Sequence, residues 1–268
     1  RDATNDADAW VRYYACQALG NTGDAGSAQL LSARVQDAAG QVRVAAIDAL
    51  ARLATPEALE LLARVAQDED AELRRAALAG IGLTRASALL PLLLDASYAA
   101  DTATRLVAVS GLASFTEAAA LARVCEVARR DPEPSVQHAA IELLAENATP
   151  QATAALVALL SEDAYRARAV SALSRHGLER AAALSAALGQ APADAAEAIV
   201  TVMTRLPDDA GERLLQAALE DPSEQARRAV ARALRFAFAS ESTNQALARA
   251  ASRDSDPEVR RIAAARES

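Results

Sequence analysis

A nine-residue pattern recurs along almost the whole chain and limits what it can fold into. Nine copies begin at residues 11, 42, 73, 104, 136, 165, 195, 226 and 259, so neighbouring copies are 29 to 33 residues apart. A unit of about 30 residues cannot bury its own apolar face and has to stack on its neighbours. The sequence therefore predicts an array of stacked repeats rather than one globular core.

Each copy of the pattern has the spacing of a helix. In "VRVAAIDAL" the first, fifth and ninth positions are Val42, Ala46 and Leu50. Residues four apart lie on one face of an α-helix, so these three should form its buried stripe. The fifth position is alanine in most copies, which lets a neighbouring helix approach closely.

A second type of helix is predicted between the copies. Segments such as "PEALELLARVAQ" carry leucines three and four residues apart. Several of these segments are preceded by typical helix-start signals, namely Thr55-Pro56, Thr149-Pro150 and Leu206-Pro207, with proline near the first turn. No alternation typical of strands occurs. The sequence therefore predicts an all-α fold with one leading helix and about eight helix hairpins.

Arginine and aspartate also recur within the pattern. The second position is arginine in seven of the nine copies. Six residues before the second position, an aspartate occurs in six of the nine copies. Asp37 and Arg43 are one such pair. A catalytic role for a pair that recurs along an array is not expected. The residues predicted to form a structural ladder are Asp37, Arg43, Asp68, Arg74, Arg105, Asp221, Arg227, Asp254 and Arg260.

Three stretches, "DPEPSVQHAAIELL", "DPSEQARRAVARAL" and "DSDPEVRRIAAAR", resemble the HEAT repeat family, and the short units resemble its bacterial phycobilisome lyase-like class. The resemblance implies one right-handed α-solenoid over residues 1–268. It also implies that the aspartates cap turns while the arginines bridge adjacent units. Physical chemistry agrees, because an aspartate before a helix accepts N–H bonds and arginine has five donors. Residues 160–200 depart most from the pattern.

The composition argues against catalysis. All 28 basic residues are arginine, which excludes Schiff-base lysines and the lysine of phosphate-binding loops. Cys16 and Cys125 lack metal-ligand spacing and are predicted to be buried free thiols. His138 and His176 are too few for a dyad or a metal site, and the repeated His–Glu dyads of the family's di-iron hydroxylases do not occur. We therefore predict no catalytic, cofactor or metal site.

The predicted binding surface is the concave face of the solenoid, lined by the third, seventh and tenth positions of the arginine-bearing helices. Its candidate residues are Tyr13, Gln17, Val44, Asp48, Arg75, Leu106, His138, Glu142, Thr201, Arg228, Arg232 and Arg235. This surface predicts a non-catalytic protein–protein interaction module with a protein partner. No membrane insertion is expected within the chain, and a cytoplasmic location is predicted.

Three further interpretations concern function and the ends of the chain. Nucleic-acid binding is one alternative, since the last 48 residues carry +2 while the first 70 carry −5, but the net charge of −8 and 3% aromatic content argue against it. A lyase-like protein that handles bilins would need more aromatics. Trp10, Tyr13 and Tyr14 are expected to pack against a further helix or to form a binding hot spot, and the chain is predicted to be a fragment of a longer protein.

Overall fold

The computed structural model describes residues 2–207 and 209–264, and all regular structure in that part of the chain is helical. The arginine-bearing helices, here called B helices, are Ala9–Thr22 (α1), Gly40–Leu53 (α3), Ala71–Thr84 (α5), Thr102–Leu112 (α7), Pro134–Ala145 (α9), Asp163–Ser174 (α11), Ala193–Met203 (α13), Glu224–Ala237 (α15) and Pro257–Ala264 (α17). The A helices between them are Ala28–Arg34 (α2), Pro56–Val65 (α4), Leu90–Ala96 (α6), Ala118–Arg130 (α8), Pro150–Ala158 (α10), Gly177–Leu188 (α12), Ala210–Ala218 (α14) and Glu241–Arg253 (α16). The predicted all-α fold, a leading helix followed by eight hairpins, is confirmed for the described residues.

The helices form two compact units, residues 1–140 and 141–268. In the first unit, α1, α3, α5 and α7 pack side by side in chain order, and α2 packs on α4 and α6 on α8. In the second unit, α11, α13, α15 and α17 form the row of B helices, and α12, α14 and α16 form the row of A helices. Each unit is therefore a stack of helix hairpins, the arrangement of an α-solenoid.

The predicted apolar stripe is the core of each unit. Val42, Ala46 and Leu50 on α3 have no exposed surface. Burying a leucine or valine stabilises a fold by about 1.5–3 kcal/mol, so the repeated stripe accounts for much of the packing energy of each hairpin. The burial of these three residues confirms the predicted spacing of four residues.

Small residues let neighbouring B helices approach to backbone contact. A Cβ atom added to Gly82 of α5 would lie 2.8 Å from the Cα of Gly111 on α7. A Cβ on Gly20 of α1 would lie 2.7 Å from the Cα of Ala49 on α3. Contacts below 3 Å have no room for a side chain, so these positions set the spacing between repeats.

Each of the three predicted helix starts precedes an A helix. The hydroxyl of Thr55 accepts from the Ala58 N–H at 3.3 Å, with Pro56 as the first residue of α4, and Thr149 caps α10 in the same way. Leu206-Pro207 precedes α14, which begins at Ala210, and the Ala210 N–H donates to the Pro207 carbonyl at 3.4 Å. Leu206 is buried, and a Cβ atom added to Gly177 would lie 2.7 Å from its side chain.

Arg180 on α12 is a buried cation in the region where the repeat departs from its pattern. Its side chain is fully buried and donates to the carbonyls of Leu144 and Ala145, at 2.9 and 2.8 Å, at the end of α9. It also donates to the Thr153 hydroxyl at 3.1 Å and the Arg175 carbonyl at 3.1 Å. A cation is favourable at a helix C-terminus, so Arg180 joins three helices of the second unit.

Candidate functional site

The recurring arginine and aspartate form ladders between successive repeats. In the first unit, Nε and Nη2 of Arg105 donate to the two carboxylate oxygens of Asp131 at 2.9 and 3.0 Å. Nη1 of Arg105 donates to the carbonyls of Ala99 and Ala100 in its own repeat. The side chains of Arg105 and Asp131 are only 9% and 2% exposed, so this rung of the ladder is shielded from water.

The same geometry occurs twice more. Arg12 donates to both carboxylate oxygens of Asp37, and Arg227 donates to both of Asp254, all at 2.8 to 2.9 Å. Asp37 also accepts the Ala39 N–H at 3.0 Å. The hydrogen bond from Arg12 holds the pKa of Asp37 below its usual value. The carboxylate is therefore ionised at neutral pH and suited to an ion pair rather than to proton transfer.

The acid and arginine of one repeat do not pair with each other. Nη1 of Arg43 donates to the carbonyl of Asp37 at 3.3 Å, whereas the carboxylate of Asp37 is bound by Arg12 of the preceding repeat. Nη2 of Arg43 approaches Asp70 at 3.5 Å, and its buried Nε has no acceptor among the described residues. Other guanidinium groups also donate to the backbone carbonyl six residues earlier in their own repeat: Arg74 to Asp68, Arg227 to Asp221 and Arg260 to Asp254.

Two further polar bridges, on the A helices, could not be recognised from the repeat pattern. Arg123 on α8 donates to the hydroxyl and the carbonyl of Ser97 at 2.7 and 2.8 Å and stacks over the ring of Tyr98. Glu212 on α14 accepts from Ser240 and Thr243 at the start of α16, and these hydroxyls lower its pKa. Their only sequence signal is a polar residue in line with buried apolar residues, as Arg123 is with Val127 and Arg180 is with Leu184 and Leu188.

All candidate binding residues except Arg235 lie at positions three and seven of the pattern, on the outward side of the B helices. This side is here called the B-helix face and is defined by positions three, seven and eleven. Position three is Val44 on α3 and Arg228 on α15, and position seven is Asp48 and Arg232 on the same helices. Of the predicted residues, the exposed ones are Leu106, His138, Thr201 and Arg232, and the half-buried ones are Tyr13, Gln17, Val44, Asp48, Arg75, Glu142, Arg228 and Arg235.

Many polar groups of this face pair with one another. Gln17 donates to the Tyr13 hydroxyl at 2.7 Å, and Asp48 forms an ion pair with Arg52. In the second unit, Arg232 lies 3.2 Å from Glu197 of the preceding B helix, and Glu142 lies 2.8 Å from Arg175. The ion pair between Arg75 and Asp101 is longer, with 4.0 Å between the guanidinium and the carboxylate.

The eleventh position, rather than the expected tenth, continues the exposed stripe. Phe236 on α15 is 81% exposed and Leu83 on α5 is 61% exposed, and both are position eleven. Arg235, at position ten, is half-buried. The signal was present in the spacing, because the eleventh residue follows the seventh by four, as the seventh follows the third.

The two thiols lack the properties of a nucleophile. Burial raises the pKa of Cys16 to about 11, and burial also raises the pKa of the half-buried Cys125. Both therefore stay protonated at neutral pH, whereas reactive cysteines have a lowered pKa. Within residues 2–207 and 209–264, no three His, Cys, Asp or Glu side chains are grouped to hold a metal ion, and no helix is long and apolar enough to cross a membrane.

Acid should weaken the second unit through Asp256. Arg228 donates to this carboxylate and holds its pKa at about 2, whereas an unfolded aspartate titrates near pKa ~3.9. The unfolded chain therefore binds the proton first, and the stabilisation is complete above about pH 4 and lost as the pH falls towards 2. Asp256→Asn should flatten this part of the pH dependence, measured by urea unfolding at a series of pH values. Asp95→Asn, at an exposed site on α6, should leave it unchanged; equal slopes for all three proteins would contradict the assignment.

Comparison with known proteins identifies the repeats. The family model of HEAT repeats matches residues 1–82, 86–174 and 121–203. No curated protein sequence gives a significant match. Among the structures compared, a chain in a homology model of the full-length AP-3 complex is 14% identical with a TM-score of 0.54, over 94% of this chain and 52% of the other. Escherichia coli YibA is 14% identical with a TM-score of 0.50, over 87% and 89%. The CpcE–CpcF complex of phycocyanin lyase from Nostoc sp. PCC7120 is 19% identical with a TM-score of 0.47, over 85% and 90%.

Proposed function

The chain belongs to the HEAT repeat family, and from this premise we propose that it is a non-catalytic binding module whose B-helix face contacts a protein partner. The observation that carries the proposal is Phe236, a large aromatic side chain that is 81% exposed on this face. Arg232 lies one helical turn before it. Aromatic residues and arginine are both enriched in protein interfaces.

The rest of the B-helix face supports a protein partner over a small molecule. Leu83 and Leu106 of the first unit are 61% and 36% exposed, and the face also carries polar groups such as Gln17, Asp48 and Arg75. Separate apolar anchors with a polar surround are the arrangement of a protein interface, whereas a small-molecule site is a concave, mostly apolar pocket.

The titratable groups favour binding over catalysis. Arginine contacts lower the pKa of Asp37 and of Asp256, and burial raises the pKa of Cys16. Each of these shifts moves the pKa of the group further from neutral pH. General acids and bases require the opposite, a pKa tuned towards the working pH.

Paired variants on the two rows of helices test the proposal. Phe236→Ser with Arg232→Glu alters the B helix α15, and the matched control, Leu178→Ser with Arg249→Glu, alters the A helices α12 and α16. Leu178 is also exposed, at 56%. We expect affinity purification with quantitative mass spectrometry to recover a stoichiometric protein with the wild type and with the control. The amount of this protein recovered with the B-helix variant should be lower by about 10-fold or more.

Circular dichroism should show that both variants are folded. Equal recovery by the two variants would contradict the B-helix face as the binding surface. Recovery of nucleic acid or of a bilin in place of any protein, detected from the absorbance of the purified sample, would contradict a protein partner.

A further inference from the structure

The carboxylate in each complete rung of the ladder is bound by the same three donors. Nε and Nη2 of Arg227 donate to the two oxygens of Asp254 at 2.9 Å, and the Asp256 N–H donates to one of these oxygens at 2.8 Å. The rungs at Asp37 and Asp131 have the same arrangement, with an arginine of the preceding repeat and the N–H two residues after the acid. These three donors therefore define a carboxylate site that recurs along the chain.

One rung of the first unit lacks its acid. Ala99 stands six residues before the ladder residue Arg105, where other repeats have an aspartate. The Ala99 carbonyl accepts from Nη1 of Arg105 at 3.0 Å. In the last repeat, the Asp254 carbonyl accepts from Nη1 of Arg260 at 2.6 Å. The backbone is therefore arranged alike at both positions, and only the carboxylate is missing at Ala99.

The donors of this rung are present. Nη1 of Arg74 donates to the carbonyls of Asp68 and Glu69 at 2.7 and 3.3 Å, which anchors the guanidinium as in the complete rungs. Its Nε and Nη2 have no acceptor within residues 2–207 and 209–264. The N–H of Asp101 corresponds to that of Asp256, and it too is without an acceptor in that part of the chain. All three donors of a carboxylate site are therefore unfilled.

The charges around this position suit a carboxylate. Asp101 is itself an acid, but Asp256 has the same place beside Asp254, so two neighbouring carboxylates are compatible with a complete rung. Arg228 donates to Asp256 at 3.1 Å, and Arg75 lies 4.0 Å from Asp101. Each site therefore has two arginines for two acids when it is filled.

We propose that Arg74 and the Asp101 N–H bind a carboxylate group that another molecule supplies in place of the missing aspartate. Ala99 is half-buried and Ala100 is exposed, so such a group can reach the site from solvent. A guanidinium binds a carboxylate through two parallel hydrogen bonds, and charge-assisted bonds of this kind are about twice as strong as neutral ones. The group therefore completes a rung of the ladder from outside the chain.

Heteronuclear NMR with sodium acetate as the probe tests the proposal. When acetate replaces chloride at constant ionic strength, the amide resonance of Asp101 should move and reach saturation, because its N–H gains an acceptor. Arg74→Gln should weaken acetate binding by about 10-fold or more, because the cation is lost. Ala99→Asp should abolish the titration, since the new side chain fills the site. Arg129→Gln is the matched control: Arg129 is exposed on α8 and forms no ion pair among the described residues, so this variant should bind acetate as the wild type does.

Two blocked peptides distinguish the sources of the carboxylate. N-acetyl-Gly-Asp-Gly-amide carries only a side-chain carboxylate, and N-acetyl-Gly-Asn-Gly carries only a terminal one. Both should compete with acetate for the site. The probe of the three that binds most tightly identifies the source as an acidic side chain, a chain terminus or a small free acid.

Circular dichroism should show that all the variants are folded. An Asp101 resonance that does not respond when acetate replaces chloride would overturn the proposal. Acetate binding that survives unweakened in Arg74→Gln or in Ala99→Asp would overturn it as well. The measurement needs no protein partner, so its outcome does not depend on the proposed role of the B-helix face.

Discussion

Arg180→Met should destabilise the second unit by about 3 kcal/mol or more. Methionine retains most of the volume, but it removes the hydrogen bonds to the Ala145 carbonyl, the Arg175 carbonyl and the Thr153 hydroxyl. It also removes one of the two to the Leu144 carbonyl, which keeps the Asn147 N–H at 3.2 Å. A buried acceptor without a partner costs about 1–3 kcal/mol. Burial lowers the pKa of Arg180, so the cation also carries a desolvation cost, which the substitution removes and which offsets part of the loss.

Urea unfolding measures this effect, with two comparisons. Arg180→Lys should be intermediate, because an ammonium cannot span acceptors on three helices as the planar guanidinium does. Arg213→Met should change the free energy of unfolding by less than about 0.5 kcal/mol, since Arg213 is 69% exposed. An Arg180→Met protein as stable as the wild type would mean that the desolvation cost equals the value of all four hydrogen bonds.

Arg105→Ala should cost about 3–5 kcal/mol, because it leaves the carboxylate of Asp131 buried without its cation. Arg43→Ala should cost only about 1 kcal/mol. The two arginines occupy the same position of the repeat, but Arg43 makes long contacts of 3.3 and 3.5 Å and buries its Nε without an acceptor. The costs are expected to differ because Arg105 donates to the carboxylate of Asp131 in the next repeat at 2.9 and 3.0 Å.

A double-mutant cycle separates the interaction energy of Arg105 with Asp131 from the cost of truncating each side chain alone. If Arg105 and Asp131 interact directly, the cost of Arg105→Ala and Asp131→Ala together should be well below the sum of the two single costs. Asp131 also accepts the Glu133 N–H at 2.9 Å, and part of its single cost should therefore persist in the cycle. Additive costs, or equal losses for Arg105→Ala and Arg43→Ala, would contradict the ladder as described.

Periodicity explains which features could be predicted from the sequence. The stripe of Val42, Ala46 and Leu50 follows from spacing alone, because a helix places every fourth residue on one side. The pairing partner of Asp37 did not follow from spacing, since Arg43 is nearer in sequence but Arg12 is nearer in space. Arg180 could not be recognised as a buried bridge because three of its four acceptors are backbone carbonyls, which leave no trace in the sequence.

Where a ladder arginine meets a carboxylate, as Arg12, Arg105 and Arg227 do, the acid belongs to the next repeat, so the array can be divided between one such arginine and the next. Excision of residues 37–67 would bring Asp68 to the place of Asp37, where Arg12 would again meet a carboxylate. Gly20 would then face Gly80, which is smaller than the Ala49 that it contacts now. Removal of part of a repeat would instead separate the arginine from its acid and turn the apolar stripe away from the core. Variation in the length of such chains is therefore expected to occur in whole repeats.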